Sequence, residues 1–333
     1  MSGKEMSNKS IGFITYLRAL GVIFILLCHY TQQSGNGYLE MSAQFFNIGN
    51  EIFFIISGFC FGIQKNISSL NNWYKKRVKR IFVPYELMIV VLFLVHIIVY
   101  GRIEREKWLS QIFGLQGWNG VEGATHTWFI TSLLLCYLLT PLIVGITREC
   151  SENDAIKKLI LFYAIAPIII IYCSNGLGIE STLITPIFLY AIAFVIGYYF
   201  EKIDVKNGGV IVSVVVMCLS FGIRMLGRSI WDGTILYDRL IAGYTHAIGA
   251  FCIFYLFAYI FREREEIRPV KFLDKYSFEI YLWHYMFTAG PVRLFGLTPC
   301  WVGDCVLVSI VTLVVAVTMN KIVELILILP QIS

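Results

Sequence analysis

The chain is short of charge. Only 15% of its 333 residues are Asp, Glu, Lys or Arg, and 57% are hydrophobic. The mean hydropathy is +0.71, and soluble domains carry about 25% charged residues. A soluble globule has no interior large enough for that much apolar surface, so the composition excludes one. Low-complexity stretches, internal repeats, long linkers and a second soluble domain are also missing from the sequence. Most of the nine cysteines fall inside apolar runs (Cys28, Cys60, Cys136, Cys218, Cys252) and none shows metal-ligand spacing. They read as small apolar residues, and no metal is expected. Cys300 and Cys305 lie near the outer face, where a pairing is open to them but is not expected. The first apolar run follows a short polar tail with no small-residue cleavage site, which predicts an uncleaved anchor.

What the sequence does contain is a succession of apolar runs long enough to span a bilayer, at around 20 residues each. Ten lie near 11–31, 45–64, 82–100, 126–146, 156–173, 183–200, 209–227, 237–261, 272–290 and 302–329. They predict an all-α polytopic membrane protein of about ten transmembrane helices, forming one membrane domain over 1–333 with both termini on one side. With the N-terminus inside, the cytoplasmic segments hold 17 Lys and Arg, among them Lys4, Lys9, the KKRVKR run at 75–80 and the bases of 148–158, 202–206 and 262–275. The outer segments hold seven: Arg102, Arg105, Lys107, Arg224, Arg228, Arg239 and Arg293. That excess puts both termini in the cytoplasm of a multi-pass cell-membrane protein. The net charge of +5 belongs to the cytoplasmic rim and implies lipid contact, with no nucleic-acid partner.

Polar residues inside apolar runs cost free energy and mark function. The first run, LRALGVIFILLCHY, holds Arg18 and His29. Eleven residues is about three helical turns, so both face nearly the same way, about 16 Å apart along the axis. For either residue alone, snorkelling to the nearer interface is the ordinary alternative. The second run opens GNEIFFIISGF, and an antiparallel helix brings Glu51 to the depth of His29, where a carboxylate can orient an imidazole as a general base. Ser57, Gly58 and Gly62 permit close backbone approach. His126 begins the fourth run and His284 lies well along the ninth, while His96 and His246 read as structural. The basic segment WYKKRVKRIFVPY precedes the third run, with Pro84 at its start. It suits either anionic lipid or a phosphate-bearing ligand, since Arg offers forked donors. The loop 101–125 carries Trp108 and Trp118, whose faces suit sugar rings.

In this order the motifs resemble the acyltransferase family 3 membrane proteins, over nearly the whole chain. LRALGVIFILLCHY is similar to that family's arginine, ten residues, histidine motif. GNEIFFIISGF is similar to its V-D-x-F-F-V-L-S-G-F, with Glu51 where Asp is usual. WYKKRVKRIFVPY resembles F-x-x-R-R-x-x-R-I-x-P, HTWFI resembles H-L-W-F-L, and FLDKYSFEIYLWHYMF resembles Y-S-x-x-I-Y-L-x-H. The resemblance implies an O-acyltransferase with acyl-CoA, most simply acetyl-CoA, as co-substrate from the cytoplasm and no bound cofactor. Its acceptor is a hydroxyl of a cell-surface or lipid-linked glycan. His29 and Glu51 are then catalytic. Arg18, Lys76, Arg77, Arg80, Ser57 and Tyr281 meet acyl-CoA, and His126, Trp128 and His284 line the site. Many members carry an extra soluble hydrolase-like domain, and its lack here points to a lipid-linked acceptor. Direct transfer and an acyl-histidine intermediate both fit these residues. The rival from another class is a transporter, using the Arg, Glu and His as a relay.

Overall fold

A computed structural model describes residues 12–64, 70–101, 103–115, 120–177, 181–203 and 205–328. Lys4, Lys9, Arg102 and Trp118 lie outside them. Twelve α-helices and no strand occur among the described residues: α1 Phe13–Gln32, α2 Gly37–Phe46, α3 Gly49–Ile63, α4 Leu70–Tyr100, α5 Arg105–Ile112, α6 Trp128–Arg148, α7 Glu152–Gly176, α8 Ser181–Tyr198, α9 Asn207–Trp231, α10 Ala242–Phe261, α11 Arg268–Thr288 and α12 Trp301–Ile328. Eight helical segments are long and apolar enough to cross a membrane. All ten expected spans fall on helices, but two miss that standard. Thr182–Tyr198 is apolar but short. α11 carries Arg268, Lys271, Asp274, Lys275 and Glu279. From Tyr276 onward nearly every residue of α11 is buried, so protein surrounds this part of the helix and it has no need of a wholly apolar surface.

Local chemistry sets several helix ends. Asn36 Oδ1 accepts from the backbone N–H groups of Tyr38 at 3.0 Å and Leu39 at 3.4 Å, capping α2. Ser151 Oγ accepts from the Asp154 N–H at 3.2 Å, and Glu152 and Asp154 place negative charge in the first turn of α7, where the helix dipole favours it. The basic run at 75–80 is the first part of α4, not a loop, and Pro84 sits inside that helix, not at its start. Helix interiors tolerate proline where neighbours re-satisfy the freed carbonyl.

The chain divides into two compact units. The first comprises the chain up to Phe24, Asn47–Ile67 and Ser132–Asp274. Its centre is α3 against α8. A Cβ on Gly58 would overlap the Tyr190 carbonyl, one on Gly62 the Phe194 carbonyl, and one on Gly197 the Phe59 carbonyl. Phe13, Phe59, Phe200 and Phe254 form an aromatic knot beside this contact, with ring centroids 4.8–6.1 Å apart. Arg224, which crowds the end of the seventh run, is buried and donates to the Ala242 carbonyl at 2.6 Å. It therefore faces α10 within the protein.

The second unit comprises Ile25–Phe46, Ser68–Thr131 and the chain from Lys275. None of the nine cysteines, all among the described residues, is in a disulfide.

Candidate active site

Three imidazoles gather in the second unit. His29, from the second half of α1, lies with its ring centroid 5.1 Å from that of His284 on α11, the planes tilted by 33°. His284 is in turn 5.1 Å from His126, edge to face. Tyr285 touches both ends of this row: its ring is 4.9 Å from His29 and stacks on His126 at 5.0 Å. His126 and His284 are buried, at 4% and 0% exposure. Yet both ring nitrogens of His126, and Nε2 of His284, have no hydrogen-bond partner among the described residues. Buried polar atoms are nearly always satisfied, so three idle nitrogens in one cluster mark a place built to receive a polar ligand or a proton.

Backbone and side-chain bonds hold the cluster in place. The His284 Nδ1 bonds the Tyr281 carbonyl at 2.7 Å, and Thr288 Oγ1 donates to the His284 carbonyl at 2.8 Å. Tyr281 Oη donates to the His126 carbonyl at 2.6 Å. His126 sits in a 3₁₀ turn, Thr125–Thr127. That turn is reached through Gly123 at φ +85°, where a Cβ would come within 2.8 Å of Pro291 and 3.1 Å of Leu92. Only glycine fits both that backbone and that space. Gln111 is fully buried. Its side chain donates to Thr127 Oγ1 at 2.9 Å and to Tyr85 Oη at 3.1 Å and accepts from the Val121 N–H at 3.3 Å, and Tyr85 Oη donates to the Gln111 backbone carbonyl. Trp128 follows the turn, 8% exposed.

The other expected site residues divide between the units. In the first, Arg18 Nη1 pairs with Asp274 at 3.2 and 3.5 Å, and Nη2 reaches Cys60 Sγ at 3.9 Å. Beside it, Thr15 Oγ1 donates to Glu266 at 2.8 Å and Tyr16 Oη to the Glu265 carbonyl at 2.6 Å. Glu51, which the sequence pairs with His29, has its carboxylate 3.4 Å from Nδ1 of His246, the histidine read as structural. Ser57 is half-buried on α3. In the second unit, Lys76, Arg77 and Arg80 fall on one side of α4, within about 100° of arc. Tyr281, expected among the acyl-CoA contacts, belongs to the histidine cluster. Trp108 is 4% exposed and packs edge-on against Phe93 and His96, at 5.0 and 5.2 Å, so it offers no open face to a sugar.

Sequence reasoning missed Asp274, Gln111, Tyr285 and Gln32. Asp274 and Tyr285 lie within FLDKYSFEIYLWHYMF and went unread there. Gln111 had a local signal: it stands three residues after Trp108, on the same buried face of a short amphipathic helix.

Among the described residues, no group of three or more His, Cys, Asp or Glu is disposed to hold a metal ion. The fold and site therefore describe a multi-helix membrane protein with an imidazole-lined polar centre. The family model of the acyltransferase domain matches residues 11–321. The chain belongs to that family, and with its apolar helices it is a membrane acyltransferase. No curated protein and no solved structure gives a match.

Proposed function

We propose that this protein moves an acyl group, most simply acetyl, from acyl-CoA to a hydroxyl of a cell-surface or lipid-linked glycan, with His29 as general base. The observation that carries the reading is the row of three imidazoles, two of them with idle buried nitrogens, in a chain of acyltransferase family. His29 takes the proton of the acceptor hydroxyl as its oxygen attacks the thioester carbonyl. The new C–O bond forms, the C–S bond breaks, and the proton passes on to the departing thiolate to give the free coenzyme thiol. His126 is the better placed of the other two to donate to the developing oxyanion. A neutral imidazole bears one N–H, and that of His284 is held by the Tyr281 carbonyl.

The second unit also offers a separate place for the coenzyme's phosphates. Along α4, Arg80 and Leu92 are 12 residues or about 18 Å apart. Leu92 packs beside Gly123, three residues before His126. An extended pantetheine arm bridges such a distance, leaving the nucleotide by Lys76, Arg77 and Arg80 while the thioester reaches the histidines. In this reading Glu51 supports His246 and the orientation of His29 comes from elsewhere.

The test uses protein in nanodiscs with radiolabelled acetyl-CoA and a lipid-linked glycan extract. His29→Ala abolishes acyl transfer and thiol release, with coenzyme binding retained. Arg80→Ala weakens coenzyme binding. A parent protein that binds no acetyl-CoA refutes the donor assignment, and solute uptake without thioester consumption puts a transporter in its place.

A further inference from the structure

Among the described residues, the one hydrogen bond of the His29 ring is to Gln32, with Nδ1 3.2 Å from Oε1. Gln32 is the last residue of α1, one turn beyond His29. Its amide nitrogen donates to Cys28 Sγ at 3.6 Å, which turns its carbonyl oxygen toward the ring. An amide oxygen only accepts. The hydrogen between the two groups is therefore on Nδ1, and in the neutral ring Nε2 carries the lone pair.

The neighbours cannot set this tautomer themselves. His284 and Tyr285 meet His29 through ring contacts at 5.1 and 4.9 Å. His284 is fixed in the same way, its Nδ1 held by the Tyr281 carbonyl and its Nε2 idle. A neutral His284 thus has no second N–H to give. Gln32 is exposed and three residues from His29 on one helix, so helix geometry brings its side chain beside the ring.

We propose that Gln32 is a positioning residue that selects the Nδ1–H tautomer of His29 and so makes Nε2 the nitrogen that receives the acceptor's proton. The catalytic half rests on the reading of His29 as base, and the tautomer half does not. A base of the wrong tautomer presents an N–H where a lone pair is needed, so the fraction of enzyme in the right tautomer scales the rate.

The experiment is nitrogen NMR of protein carrying ¹⁵N-histidine in nanodiscs, with the His29 signals identified by their loss in His29→Asn. Protonated and unprotonated ring nitrogens differ widely in shift. The parent should show protonated Nδ1 and unprotonated Nε2, Gln32→Met a mixture of tautomers, and Gln32→Glu, which keeps an accepting oxygen, the parent pattern. A parent with protonated Nε2, or an unchanged spectrum in Gln32→Met, overturns the proposal. In the same samples kcat of Gln32→Met should fall about tenfold with KM for acetyl-CoA unchanged, short of the loss of the base itself, and Gln32→Glu should restore it. An altered tautomer with unaltered kcat overturns the catalytic half. Transfer persisting in His29→Ala refutes the base assignment on separate evidence, while the spectrum still decides what Gln32 does.

Discussion

Asp274 shows how a single charge becomes tolerable inside an apolar helix bundle. Arg18 is legible in the sequence because a guanidinium in an apolar run demands an explanation, but its counter-charge lies 256 residues away, beyond any helical spacing rule. Removing either partner takes from the other, partly buried charge its opposite charge, which costs more than the pair itself contributes. Arg18→Met and Asp274→Asn should each lower thermal stability in detergent, and the double variant should lose less than the sum. Both side chains are partly exposed, 31% and 19%, so a coupling energy of about 1 kcal/mol is expected from the double-mutant cycle. Strictly additive losses would show that the pair is incidental. His29 was legible for the same reason as Arg18. The partner of Glu51 was not, because depth along two antiparallel helices does not say which side of each helix faces the other. Glu51 stands in the first turn of α3, and its carboxylate lies beside His246.

Helix existence was readable from hydropathy, whereas helix surroundings were not. α7 and α9 bury little of their length, and α9 presents Ile211, Val212, Leu219, Leu226 and Ile230 at 60–69% exposure, a surface suited to lipid. α11 is the opposite case, polar in its first half and enclosed by protein in its second. A window average treats the two alike, because it measures what a helix is made of and not what it packs against. The SGF segment carried its meaning in its glycines, and the α3–α8 contact gives it a physical form: three backbone carbonyls occupy the space where Cβ atoms would stand. Gly58→Ala and Gly62→Ala should therefore destabilise by about 1–3 kcal/mol each, the usual cost of overpacking. Gly145→Ala on α6, which meets nothing within 4 Å, should be neutral or should stabilise by up to about 1 kcal/mol, because alanine loses less backbone entropy in a helix. Thermal unfolding of the three variants separates these cases. Equal melting temperatures would mean that α3 and α8 shift apart without cost.

For the molecule as a whole, the decisive property is sidedness. Seventeen Lys and Arg in the segments assigned inside, against seven outside, are the basis for expecting the basic rim on the cytoplasmic side, the side from which the proposed acyl-CoA donor would come. The run at 75–80 is part of α4, so its bases are held on the same rod that packs by the His126 turn, and on the proposed function this helix links the donor's phosphates to the histidines. Two measurements follow from this orientation. A maleimide placed outside sealed right-side-out vesicles should fail to label Lys79→Cys, an exposed position on that basic run, and should label it in inverted vesicles, as read by peptide mass. Acetyl-CoA added outside should support transfer only in the inverted vesicles, with the acetylated glycan recovered in the lumen. Labelling and transfer that both favour right-side-out vesicles would reverse the topology and leave the chemistry intact. Labelling as expected, with transfer from either side, would instead break the link between the basic face of α4 and the donor, because a coenzyme that reaches the histidines from outside has no need of that face.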